Sequence, residues 1–87
     1  MNPTQTEMDA MAAEFEAAFR EESRMNPVGA AASIINLLRR GDFSHAKHIA
    51  KIDRDKFYCQ RKTLAVLEKH FGCMLHGVVD CSQCRKH

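Results

Sequence analysis

The chain has no tryptophan, one tyrosine, two prolines and four glycines among its 87 residues. It also lacks any run approaching the roughly 18 apolar residues that a membrane-spanning helix needs. With so few large aromatics, core volume must come from Ala, Leu, Ile, Val, Met and five phenylalanines. Alanine dominates that set, and alanine favours helices while filling little space. No alternating Val/Ile/Thr stretch is present, so strands are confined at most to a small turn near Val78-Val79. Nothing in the chain repeats, which excludes a solenoid. The length allows one domain and one small core, with no room for a dinucleotide-binding α/β unit, a kinase lobe or a barrel enzyme.

Basic residues are scarce in the first half. Residues 1–38 hold only Arg20 and Arg24 against six carboxylates, whereas residues 39–87 hold the other eleven Lys/Arg against five. The net charge of +2 conceals this division. Either the basic half is an interaction surface, or the two halves pair with each other inside one small domain. All five histidines and all four cysteines also fall in the second half. The polar, acidic N-terminus is unlike a secretory signal, so a cytoplasmic location is expected. In a reducing compartment the cysteines read as ligands or free thiols rather than as disulfides.

Apolar spacing predicts helices throughout. Thr4 and Thr6 have acidic residues three positions on, at Glu7 and Asp9, which is capping-box spacing. Met8, Met11, Ala12, Phe15, Ala18 and Phe19 then recur at steps of three and four, predicting an amphipathic helix over about 5–23. Asn26-Pro27 reads as the next start, with Val28, Ala31, Ala32, Ile35 and Leu38 on one face and Gly41 as the stop. Asp42 or Ser44 caps a third helix carrying Phe43, Ala46, Ile49 and Ala50. The tight link through Gly41 reads as a helical hairpin or as a DNA-reading helix-turn-helix. Asp53 or Asp55 opens a fourth helix, with Phe57, Leu64, Leu67 and Phe71 on its face and Gly72 at its end. The expected architecture is therefore all-α, a single domain of three to four helices over 1–87, with a helical core at 26–72 and a Cys/His tail at 73–87.

That tail carries the most distinctive chemistry. Cys73 and His76 are separated by two residues, as are Cys81 and Cys84, with Gly77-Val-Val-Asp80 between the pairs. Two intervening residues let both side chains of a pair converge on one ion, and Cys3His is a usual tetrahedral zinc set. A structural zinc bound by Cys73, His76, Cys81 and Cys84 would staple the chain end; His87, Cys59 and His70 are spare ligands. The competing readings are unliganded thiols, or a Cys81–Cys84 disulfide. A redox enzyme fits poorly, because the Cys-x-x-Cys follows no strand. Catalytic zinc fits poorly too, since Asp80 is the one carboxylate in the tail and so small a chain offers little cleft.

Lys47, Lys51 and Arg54 follow i, i+4, i+7 spacing and form one stripe if their helix continues. With Arg61 and Lys62 they could attract nucleic-acid phosphates or an acidic partner, or simply form a solvated face. Cys59, beside Phe57 and Tyr58, reads as a small buried hydrophobe. Asp53, Asp55, Glu68, His45 and His48 serve as well for caps and solvated faces as for acid–base work, so no enzyme is expected.

Taken together, these features predict a small non-enzymatic zinc-binding regulatory or accessory protein. Its expected partner is a protein or a second copy of itself, docked through Phe15, Phe19 and Phe43, and it needs no membrane or small-molecule substrate. The alternative is a nucleic-acid-binding transcriptional regulator using the basic half. A short helical chain with a Cys/His tail is in the style of small phage- or plasmid-borne regulators, although no motif points to a named family.

Overall fold

A computed structural model describes residues 3–57 and 59–72. The tail proposed to hold zinc, residues 73–87, lies outside them. The described residues form four α-helices and contain no strand: α1 (Gln5–Ser23), α2 (Ala30–Arg39), α3 (Phe43–Ile52) and α4 (Arg61–Phe71). A short 3-10 helix, Arg54–Phe57, joins the last two.

Residue chemistry accounts for most of these boundaries. Thr4, not Thr6, starts α1: its hydroxyl accepts from the Glu7 N–H, and the Glu7 carboxylate accepts from the Thr4 N–H at 2.8 Å. This reciprocal pair satisfies two N–H groups that the helix start would otherwise orphan. Asp42 starts α3 by accepting from the His45 N–H. Between α2 and α3 the chain reverses at Gly41, whose φ of 84° suits a residue without Cβ. The Gly41 N–H donates to the Leu38 carbonyl and the Asp42 N–H to the Leu37 carbonyl, a Schellman closure.

α1 packs against both α2 and α4, and α2 against α3. The core contains Met8, Ala12, Phe15 and Phe19 from α1, with Ala31, Ile34, Ile35 and Leu38 from α2. Ala46 and Ala50 of α3, Phe57, and Leu67 and Phe71 of α4 complete it. Phe15 meets Phe57 edge-on at 5.8 Å between ring centroids, and Phe43 lies against Phe71 at 5.2 Å. Small side chains at the buried positions of α3 let that helix sit close to its neighbours.

Two expected boundaries are corrected. Asn26-Pro27 does not start α2; Gly29 is the N-cap. The Asn26 side chain instead accepts from the Arg20 guanidinium at 2.5 Å. Because Val28 precedes the helix, it leaves the apolar face and is exposed, and Ile34 is fully buried on that face. The fourth helix is also not continuous from residue 53 or 55. The chain closes the Arg54–Phe57 turn, with the Lys56 N–H donating to the Asp53 carbonyl, and restarts at Arg61. The break places Phe57 on Phe15 while α4 lies along α1.

Candidate interaction surfaces

The acidic first helix and the basic last one are joined along a seam. Glu14 lies at its far end, with one carboxylate oxygen 2.6 Å from His70 Nε2 and the other 3.0 Å from Lys69 Nζ. The His70 contact, followed by Lys69, holds the Glu14 carboxyl below its ordinary range. Glu21 accepts from Lys62 Nζ at 2.6 Å, which raises the Lys62 pKa. Glu22 caps α4 from a different helix. It accepts from the N–H groups of Lys62 and Thr63 at 2.9 and 2.6 Å, and from the Thr63 hydroxyl at 2.7 Å. Burial opposes ionisation of Glu22, but these three donors outweigh it and keep its carboxyl below the ordinary value. Gln60, the residue in the cap position of α4, makes no side-chain cap bond.

The seam reassigns several sequence-selected residues. Lys62 belongs to it rather than to an open basic stripe. His70, a spare zinc candidate, has Nε2 engaged by Glu14. Cys59 is exposed in the turn before α4, not buried in mid-helix. Among the described residues no group of three or more His, Cys, Asp or Glu side chains is placed to hold a metal. Cys73, His76, Cys81, Cys84 and His87 lie outside that set of residues. Cys73 follows a firmly held point: Phe71 and Gly72 are buried, and the Gly72 N–H donates to the Glu68 carbonyl.

The docking residues are also redistributed. Phe15 and Phe19, 1% and 5% exposed, are core residues rather than a protruding docking edge. Phe43 is half-buried against Phe71. Among the described residues, the large hydrophobics that do face solvent are Met25, Val28 and Ile52, at 54%, 59% and 60% exposure. Val28 rims a hollow of about 220 Å³, lined also by Phe19, Ala30, Ala31, Lys56 and Phe57. Met25 lies in the same connection as Val28, and Ile52 ends α3 just before the turn that supplies Lys56 and Phe57. Gln60 also lines this hollow, and its Oε1 is buried without a hydrogen-bond partner among the described residues. Met25 and Val28 sit in a connection and Ile52 at a helix end, where apolar spacing gives no guide, and that spacing places Val28 on the buried face of α2.

The other basic residues are arranged differently. α3 stops at Ile52, so Arg54 does not extend the Lys47–Lys51 stripe; its guanidinium lies 3.9 Å from its neighbour Asp55. Arg40, Lys47, Lys51 and Arg61 have no carboxylate within 4.0 Å among the described residues. A groove of about 280 Å³ runs between α2 and α3, lined by Ser33, Asn36, Leu37, Arg40, His45 and Ile49. Asp53 pairs with Lys56, and Asp42 lies 3.6 Å from His45 Nδ1 at the start of α3. No helix of the described residues is long and apolar enough to cross a membrane. Compared with protein-family models, curated proteins and solved structures, the chain finds no significant match.

Proposed function

We propose that this protein is a small non-enzymatic regulatory or accessory module that docks on a protein partner, or on its own copy, through the Met25–Val28–Ile52 corner. The observation that carries this reading is that exposed Val28 rims an apolar-walled hollow, while the other two exposed large hydrophobics, Met25 and Ile52, lie in the chain segments leading to its walls. Covering a side chain of this size contributes roughly 1.5–3 kcal/mol when burial is complete. A corner of this kind therefore suits a partner side chain inserted beside Phe57. A photo-crosslinking residue at Val28, with the exposed Ala17 of α1 as control, tests this in the cell of origin. The expected result is a discrete adduct from Val28, either at twice the chain mass or with a defined protein, that Ile52→Asp removes. Equal background from both positions would refute the reading.

The same proposal includes a structural zinc in the tail, held by Cys73, His76, Cys81 and Cys84 in a cytoplasmic, reducing setting. Its support is the donor chemistry and the paired spacing, together with the anchored helix end that precedes Cys73. Metal binding would supply ordering free energy that a short tail without a core cannot provide alone. Native mass spectrometry with and without a chelator should show one zinc per chain, lost in Cys81→Ser. A metal-free chain after purification in the presence of zinc would remove this part of the proposal.

A further inference from the structure

We infer a second interaction surface: the outer face of α3, presented by the α2–Gly41–α3 unit, binds the phosphate backbone of duplex nucleic acid. This inference does not depend on the apolar corner. Its starting point is the distribution of carboxylates. Residues 30–52, which span α2, the turn and α3, contain one acidic side chain, Asp42, against Arg39, Arg40, Lys47 and Lys51. Asp42 is occupied as the cap of α3, and Arg39 pairs with Glu16 at 3.3 Å. Arg40, Lys47 and Lys51 are left without a counter-charge among the described residues.

The helix geometry arranges what remains. Ala46 and Ala50 face the core. Ser44, Lys47, His48 and Lys51 stand at i, i+3, i+4 and i+7, which is one continuous stripe on the side away from it. Ser44 and His48 are exposed, and Lys47 and Lys51 are partly exposed. On the other flank of α3, the groove between α2 and α3 is lined by the polar groups Ser33, Asn36, Arg40 and His45, with no carboxylate. The topology is also right: two helices separated by Arg40-Gly41-Asp42, a turn short enough to project α3 as a reading helix. A regular duplex presents phosphates on both sides of a groove wide enough for an α-helix, so a cationic helix face fits it better than a single strand, which calls for stacking aromatics.

The test uses the full chain and a labelled duplex of about 20 base pairs, titrated between roughly 50 and 200 mM salt. Wild-type binding should weaken steeply with salt. Lys47→Gln with Lys51→Gln should lower affinity about tenfold or more and reduce the log–log salt slope by about two, one for each phosphate contact removed. Lys62→Gln with Lys69→Gln removes the same charge from the α1–α4 seam and should change affinity by less than about twofold. If that variant loses helicity, Arg24→Gln with Lys56→Gln provides the same charge change on other surfaces. Equal losses from the α3 pair and from a folded control pair would reduce the effect to net charge and overturn the inference. So would absence of duplex binding at the lowest salt, or binding of labelled polyglutamate in its place, which would assign the face to an acidic protein.

Discussion

The α1–α4 seam and the α2–α3 hairpin use cationic side chains in opposite ways. Along the seam, Glu14, Glu21 and Glu22 meet Lys69, His70, Lys62 and the first turn of α4, so acidic and basic halves of the chain neutralise each other. On the hairpin, Arg40, Lys47 and Lys51 meet no carboxylate among the described residues, and α3 carries none of its own. Charge is part of the assembly of the fold in one region and open to solvent in the other. Pairing between the two halves of the chain thus accounts for the charge along α1 and α4 and leaves the hairpin cations without a partner among the described residues. A net charge of +2 says little about such a molecule, because the positive charge available to a partner depends on which lysines the fold has already paired.

This contrast can be broken most forcefully beneath the seam. Phe15→Ala removes a fully buried ring that packs on Phe57, and should destabilise the domain by about 3–5 kcal/mol in urea unfolding. A loss below about 1 kcal/mol would return Phe15 to the surface as a docking residue. Glu22→Ala comes next. It strips two backbone N–H groups and a hydroxyl of their acceptor and should cost about 1–2 kcal/mol.

The seam also carries a pH signature. Glu22 has its folded pKa below its unfolded value, so its contribution is fully present above the ordinary carboxylate value of 4.5. That contribution falls away as pH drops through the lower folded value. Chemical denaturation from pH 7 down to 3 should therefore show a shallower decline in Glu22→Ala than in the wild type. Parallel declines would mean that the cap is not made by the ionised group.

A smaller effect is expected at the turn. Gly41→Ala places a Cβ in a left-handed conformation and 2.8 Å from the Gln5 side-chain oxygen. Gln5 can move, but its Nε2 donates to the carbonyls of Leu38 and Arg39, so displacing it loosens the end of α2. About 1 kcal/mol or somewhat more should be lost, read as a lower thermal midpoint. Least affected should be the hairpin surface itself. Lys47→Gln with Lys51→Gln should change stability by less than about 0.5 kcal/mol, since neither ammonium is part of an ion pair in the described fold. A clear stabilisation or destabilisation in that variant would show that the open charge is coupled to folding after all.

Legibility of the fold followed the range of the interactions. α1 could be read to its end residues, because a cap at Thr4 and a stripe from Met8 to Phe19 involve neighbours three or four positions apart. The Gly41 turn and the Asp42 cap were legible for the same reason. The start of α2 was not: Asn26-Pro27 is a good local signal, but Asn26 is drawn to Arg20 and the helix waits until Ala30. The break after Phe57 was equally hidden, since heptad spacing through Phe57 and Leu64 looks the same whether or not the helix is interrupted. Of the candidate surfaces, the Lys47–Lys51 pair is legible from spacing. The exposed corner is not, because periodicity leaves Met25 and Ile52 unmarked and places Val28 on the buried face of the second helix.

The sequence by itself determined that the described chain is helical and where its charges, ligand-type residues and main turn lie. These are properties of adjacent residues, governed by backbone propensity and side-chain-to-backbone bonds of short reach. Tertiary structure alone decided that Glu22 caps a helix by accepting from an N–H 40 residues later and that Gln5 closes one ending 34 residues on. It alone put Glu14 on His70, 56 positions apart. Each of these depends on which helices come side by side. That choice is made by burying Phe15, Ile34, Leu38, Leu67 and their neighbours together, a non-directional force that leaves no local mark in the chain.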